Sequence, residues 1–153
     1  MMNHVNEHRG DVLVVEDQED ARFMLRESLE HADYTVGTAG DGLQAIKEME
    51  HRHFDVVITD YQMPRMNGLE LLRLSKVLWP DTPVVMVTGD SSDVIAEVAM
   101  REGAYALVHK PYERTLLLQI LRMAVLQSRA DHTRLAASSD VNEPQTVDRP
   151  GGL

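Results

Sequence analysis

The sequence contains no cysteine. Disulfides and thiolate metal sites are therefore excluded, and the chain suits a reducing compartment, with the cytoplasm the expected one. Long apolar runs are also missing. Nothing approaches the roughly 20 residues that span a bilayer, so membrane insertion is not expected. The opening MMNHVNEHRGD has no apolar signal core, which argues against export. Basic residues are outnumbered. Lys and Arg number 15 against 25 Asp and Glu, a net charge of −10, and that balance disfavours direct binding to nucleic acid. The seven histidines are scattered, and the close pair His51 and His53, on either side of Arg52, reads as surface rather than as a metal site.

What is present is a globular composition: 153 residues, 43% apolar and 26% charged, enough for one domain. Short β-branched runs alternate with helical patterns. Strands are predicted at 11–15, 34–39, 54–59, 83–88 and 106–109, and helices from about Phe23 to Ala32, Leu43 to His51, Gly68 to Leu78, Ser92 to Met100 and Glu113 to Gln127. Asp41 and Ser91 or Ser92 are cap candidates, and Gly103 is placed to end the fourth helix. Five strands alternating with five helices through short loops imply an α/β fold, an open parallel sheet covered on both faces. Residues 1–10 read as a flexible leader. After Ser128 large apolar residues thin out, so 129–153 read as a disordered tail.

In such a sheet the loops at the carboxyl ends of the strands share one edge, where ligands bind. The first strand delivers Glu16 and Asp17 to that edge, the third Asp60, the fourth Thr88 with Gly89, and the fifth Lys110 with Pro111. Taken singly, each has an ordinary structural reading: a helix cap, a strand end, a solvated loop lysine. Together they make a site. Three carboxylates at close range repel one another, so a cation must hold them ionised. An all-oxygen donor set of low ligand number suits Mg²⁺, which keeps several waters and is often shared with a phosphate. Lys110 adds a second positive charge, and Thr88 can donate to a phosphoryl oxygen. An Asp carboxylate can itself attack phosphorus to form an acyl phosphate.

This combination resembles the receiver domain of two-component response regulators. The resemblance is carried by Glu16-Asp17, the segment from Asp60 to Gly68 (DYQMPRMNG), Thr88-Gly89 and Lys110-Pro111, and it covers about residues 10–128. It implies a doubly wound, flavodoxin-like fold with strand order 2-1-3-4-5 over residues 11–128. It implies phosphorylation of Asp60 by a histidine kinase or a histidine phosphotransfer protein, and Mg²⁺ bound by Asp17, Asp60 and the main-chain carbonyl of Gln62, with Glu16 acting through water. Thr88 and Lys110 would engage the phosphoryl group, and the Lys110-Pro111 bond is expected to be cis. Such a domain is a phosphoacceptor rather than an enzyme, with at most self-phosphorylation from small donors and self-dephosphorylation. Two positions depart from the family pattern. Leu107 stands where an aromatic switch residue is usual, with Tyr105 two residues earlier and, by period-two counting, on the same sheet face. Gly89 stands where alanine is more frequent.

The last helix carries more apolar residues than one buried face needs: Leu116, Leu117, Leu118, Ile120, Leu121, Met123, Ala124, Val125 and Leu126. The surplus points to a homodimer or a downstream protein partner using residues 92–127. No output domain is expected in the tail, so signalling is expected to run through protein contacts. The alternatives are a receiver-like interaction module that works without phosphorylation, or a receiver fragment of a larger regulator or hybrid kinase. A phosphatase with an Asp nucleophile would need a second acid where Gln62 stands. A nucleotide site would need glycines where Glu16-Asp17-Gln18-Glu19-Asp20 stands.

Overall fold

The computed structural model describes residues 8–140. Five parallel strands, β1 (Gly10–Val15), β2 (Tyr34–Ala39), β3 (Val56–Asp60), β4 (Val84–Thr88) and β5 (Ala106–His109), form one sheet ordered β2-β1-β3-β4-β5. The helices are α1 (Glu19–His31), α2 (Gly42–His51), α3 (Gly68–Leu78), α4 (Asp93–Arg101) and α5 (Arg114–Asp140). The doubly wound fold and the strand order are those expected.

The strands read as unbroken apolar runs because helices cover both faces of the sheet. Alternation sorts their side chains. Val12, Val14, Val56, Ile58, Val85 and Val87 pack with Leu29 of α1 and Leu117, Leu121 and Val125 of α5. Leu13, Val15, Val57, Val84 and Met86 pack on the other face with Ala45 and Met49 of α2, Leu71 and Leu72 of α3 and Ala99 of α4. Each Val, Leu, Ile or Met side chain among these, taken fully out of water, contributes about 1.5–3 kcal/mol before entropy is counted.

Helix starts follow the expected capping chemistry in part. The Asp41 carboxylate accepts the Gln44 N–H at 2.8 Å, and the Asn67 side chain accepts the Glu70 N–H at 2.9 Å. Ser92 does occupy the N-cap of α4, but without a side-chain cap bond. Its own N–H is held at 2.7 Å by Asp90 Oδ1, so the aspartate organises that turn instead. Gly103, at φ +98°, ends α4 in the left-handed conformation foreseen for it, its N–H reaching the Met100 carbonyl.

Three expectations are corrected. Gly10 is the first residue of β1, not the end of a leader; the preceding residues 1–7 lie outside the described residues. The helix expected to stop near Gln127 runs to Asp140, so 129–140 are helical rather than a disordered tail, while 141–153 lie outside the described residues. Apolar periodicity fades after Ser128, but a helix already nucleated gains one hydrogen bond per added residue. Ala130, Leu135, Ala136 and Ala137 are good helix formers. The extension is also tied down: Arg129 pairs with Asp55 at 3.6 Å and His132 meets His53. Finally, Tyr105 and Leu107 lie on opposite faces. Tyr105 packs with the cluster under α1 and α5, Leu107 with the other. β5 begins at Ala106, so period-two counting does not reach back to Tyr105.

Candidate functional site

Main-chain hydrogen bonds carry the sheet order one residue beyond the strands and so aim the loops. The Glu16 N–H bonds the Ala39 carbonyl, the Tyr61 N–H the Val87 carbonyl, and the Lys110 N–H the Thr88 carbonyl, at 2.8–3.1 Å. These loops leave from the carboxyl ends of β1, β3 and β5 at one edge, where the strand order reverses around β1 and β3. Oxygen atoms of Glu16, Asp17 and Asp60 lie within 4.8 Å of one another. Lys110 Nζ donates to Asp60 Oδ2 at 2.9 Å and stands 3.8 Å from Glu16 Oε2. The Lys110-Pro111 bond is cis, as expected.

The electrostatics of this edge follow from burial and from the crowding of its carboxylates. Burial pushes the Glu16 carboxyl up from 4.5 to about 7; Asp60 adds to this through a shared hydrogen bond and its charge, and Lys110 and the Gln18 N–H only partly offset it. A carboxyl with a raised folded-state pKa holds its proton better folded than unfolded. Its contribution is therefore full below 4.5 and is lost as pH rises through about 7, because over that window the native state binds more protons than the unfolded chain. Burial pulls the Lys110 ammonium down, but its hydrogen bond and charge contact with Asp60, helped by Glu16, more than offset this, so its pKa lies above the ordinary lysine value.

Thr88 is completely buried at the end of β4, and its Oγ accepts the Asp90 N–H at 3.0 Å. The register pairs Asp60 with Val87, which sets Thr88 one residue beyond Asp60 on the neighbouring strand. Gln62 is exposed, and its N–H reaches Asp60 Oδ1 at 3.3 Å. An open hollow of about 470 Å³ lies beside the carboxylates, lined by Asp17, Tyr61, Gln62, Met63, Pro64 and Asn67. At Gly89 an added Cβ would meet nothing within 4 Å, so the departure from alanine leaves open space there.

Three contributors were not legible as such. Arg22 of α1 donates from Nη1 to the Glu16 carbonyl at 2.8 Å and so fixes the acidic turn; its six-residue spacing from Glu16 carries no general signal. Tyr112 lines a small hollow of about 50 Å³ with Glu16, Asp60 and Lys110. Burial raises its phenol pKa, Glu16 and Asp60 raise it further, and Lys110 opposes them. An aromatic two residues after Lys110 was the available hint. Gly68 is the third: its Cα passes so close to the Asp60 main chain that any side chain would overlap it.

A 2-1-3-4-5 parallel sheet that gathers an acidic cluster and a lysine at its switch edge defines a flavodoxin-like signalling domain. The response regulator receiver domain family model matches residues 12–122, and the chain belongs to that family. The C4-dicarboxylate transport transcriptional regulatory protein DctD of Rhizobium meliloti is 34% identical over 113 residues, 74% of this chain and 25% of DctD. The nitrogen assimilation regulatory protein NtrX of Azorhizobium caulinodans is 32% identical over 156 residues, 92% of this chain and 34% of NtrX. The chain thus spans only about a quarter to a third of each of these regulators. Among solved structures, the chemotaxis protein CheY4 of Vibrio cholerae superposes with a TM-score of 0.71 at 32% identity, covering 74% of this chain and 97% of that one.

Proposed function

We propose that this receiver accepts a phosphoryl group on Asp60 from the phosphohistidine of a histidine kinase or a histidine phosphotransfer protein, and signals through protein contacts. The observation that carries the reading is the Lys110 ammonium 2.9 Å from Asp60 Oδ2, beside the gathered carboxylates of Glu16 and Asp17. An Asp60 oxygen attacks phosphorus, the phosphorus–nitrogen bond to histidine breaks, and its electron pair leaves with the imidazole. The product is an acyl phosphate. Lys110 exchanges part of its contact with Asp60 for a phosphoryl oxygen. The Thr88 hydroxyl can donate to another while still accepting from Asp90, since one hydroxyl does both.

Mg²⁺ fits the donors present: three clustered carboxylates and an open hollow for its waters. Asp17, Asp60 and the main-chain carbonyl of Gln62 would hold it, with Glu16 acting through water. When bound it offsets charge on the transferring phosphoryl oxygens. With Mg²⁺ and acetyl phosphate, the protein is expected to gain one acid-stable, base-labile phosphoryl group by intact mass, and none when a chelator removes the metal. No gain in the presence of Mg²⁺ sinks the reading.

For the output surface, Val94 and Met100 of α4 and Leu116, Met123 and Leu126 of α5 are about half or more exposed, which supports a homodimer or partner interface within 92–127. Sedimentation should show association that strengthens on phosphorylation. A monomer at high concentration in both states would exclude the dimer form.

A further inference from the structure

His53 and His132 are 79 residues apart in sequence and meet tip to tip. Their Nε2 atoms are 2.9 Å apart, their ring centroids 4.7 Å, and their planes are inclined by 37°. His53 stands in the segment that feeds β3, at the end of that strand opposite Asp60. His132 lies on the part of α5 that runs beyond the expected helix end. The pair is thus at the end of the sheet opposite the acidic edge, and neither ring belongs to the carboxylate cluster.

Two rings joined head-on by a straight N–H···N bond of 2.9 Å would have centroids about 5.1 Å apart, since each centroid lies about 1.1 Å behind its nitrogen. The separation observed is shorter. The rings are therefore bent off the line through the two nitrogens, so the contact is not a straight N–H···N bond. Two imidazole nitrogens bound at about 2.05 Å and about 90° to one ion stand about 2.9 Å apart, whereas a tetrahedral ion opens them to about 3.3 Å. The geometry points to a two-imidazole site for a late divalent transition-metal ion of the Cu(II) or Ni(II) type, with water completing the coordination.

The surroundings permit it. Both rings are exposed, so an ion enters from solvent. The flanking cations are engaged: Arg129, one turn before His132, pairs with Asp55 at 3.6 Å, and the Arg52 guanidinium sits 4.5 Å over the Phe54 ring. The net charge of −10 favours cations generally. Bound there, the ion staples the α5 extension to the segment leading into the phosphoacceptor strand.

The test titrates the full chain with CuCl₂ or NiCl₂ in excess Mg²⁺, which competes at the carboxylate edge. Wild type takes up one ion that His53→Gln and His132→Gln each bind at least about tenfold more weakly. His51→Gln, which removes the neighbouring exposed imidazole, binds as wild type does. Amide exchange across residues 129–138 slows on adding the ion in wild type and not in either variant. Equal uptake by wild type and both variants, or uptake without slowed exchange at 129–138, would overturn the site and place the ion elsewhere.

Discussion

Asp60→Asn is expected to abolish phosphoryl gain from acetyl phosphate while leaving the fold intact. Three carboxylates share the edge, so the identity of the acceptor needs argument. Glu16 is buried and stands 3.8 Å from Lys110, farther from the ammonium than Asp60 is. Asp17 is exposed and has no described ion pair with Lys110. Asp60 ends β3 and has the Lys110 ammonium at 2.9 Å, ready to neutralise incoming phosphoryl charge. Asparagine keeps the shape and loses the nucleophile. Stability should change by less than about 1 kcal/mol, because the lost ion pair is partly exposed and its loss also relieves the repulsion between Asp60 and Glu16. Intact mass and a urea melt together check the result. A mutant that still gains one group would move the acceptor to Asp17 or Glu16.

Gly68→Ala is expected to cost about 3 kcal/mol, at the upper end of ordinary overpacking. An alanine Cβ would overlap the Asp60 carbonyl oxygen and lie 3.0 Å from Tyr61 Cα and 3.1 Å from the Asp60 carbonyl carbon. All three are backbone atoms and cannot rotate away. The Gly68 N–H also bonds the Tyr61 carbonyl at 2.8 Å, so the two segments are pinned together. The sign makes the test sharp: Gly68 opens α3, and at an unobstructed helical position alanine would favour the helix by about 1 kcal/mol. Gly89→Ala is the control. Its Cβ meets nothing within 4 Å, and a change within about 0.5 kcal/mol is expected. Denaturant midpoints decide. A neutral Gly68→Ala would mean that the loop does not pass against Asp60 as described. Because the strain falls on Asp60 itself, Mg²⁺ affinity should drop with stability.

Much of the site was legible because its side chains sit at strand ends, and strand ends are where apolar runs stop. Val56 to Ile58 announced a buried strand, and the acid that ended it had to face the sheet edge. Thr88 and Lys110 followed by the same logic. Interactions that depend on through-space approach were not legible. Arg22 reaching the Glu16 carbonyl, Tyr112 beside Lys110 and the fit of Gly68 against Asp60 arise from how helices settle on the sheet, which periodicity does not encode. The length of α5 was missed for another reason. Apolar spacing reports what a helix buries, and residues 129–138 bury little; backbone propensity and two side-chain anchors hold them.

The uninterrupted α5 has a mechanical consequence. At 1.5 Å per residue its 27 residues make a rod about 40 Å long. Its first turn is bolted to α1, since Arg114 Nε donates to Ser28 Oγ at 2.8 Å and Nη2 to the Ser28 carbonyl at 3.2 Å. The rod starts four residues after Lys110, at the rim where a phosphoryl group would arrive. A tilt of about 5° there would sweep the far end through about 3.5 Å and would release the Arg129–Asp55 and His132–His53 contacts that tie it down. The helix would then act as a pointer, converting a local rearrangement around Lys110 into a displacement large enough for a bound protein to read.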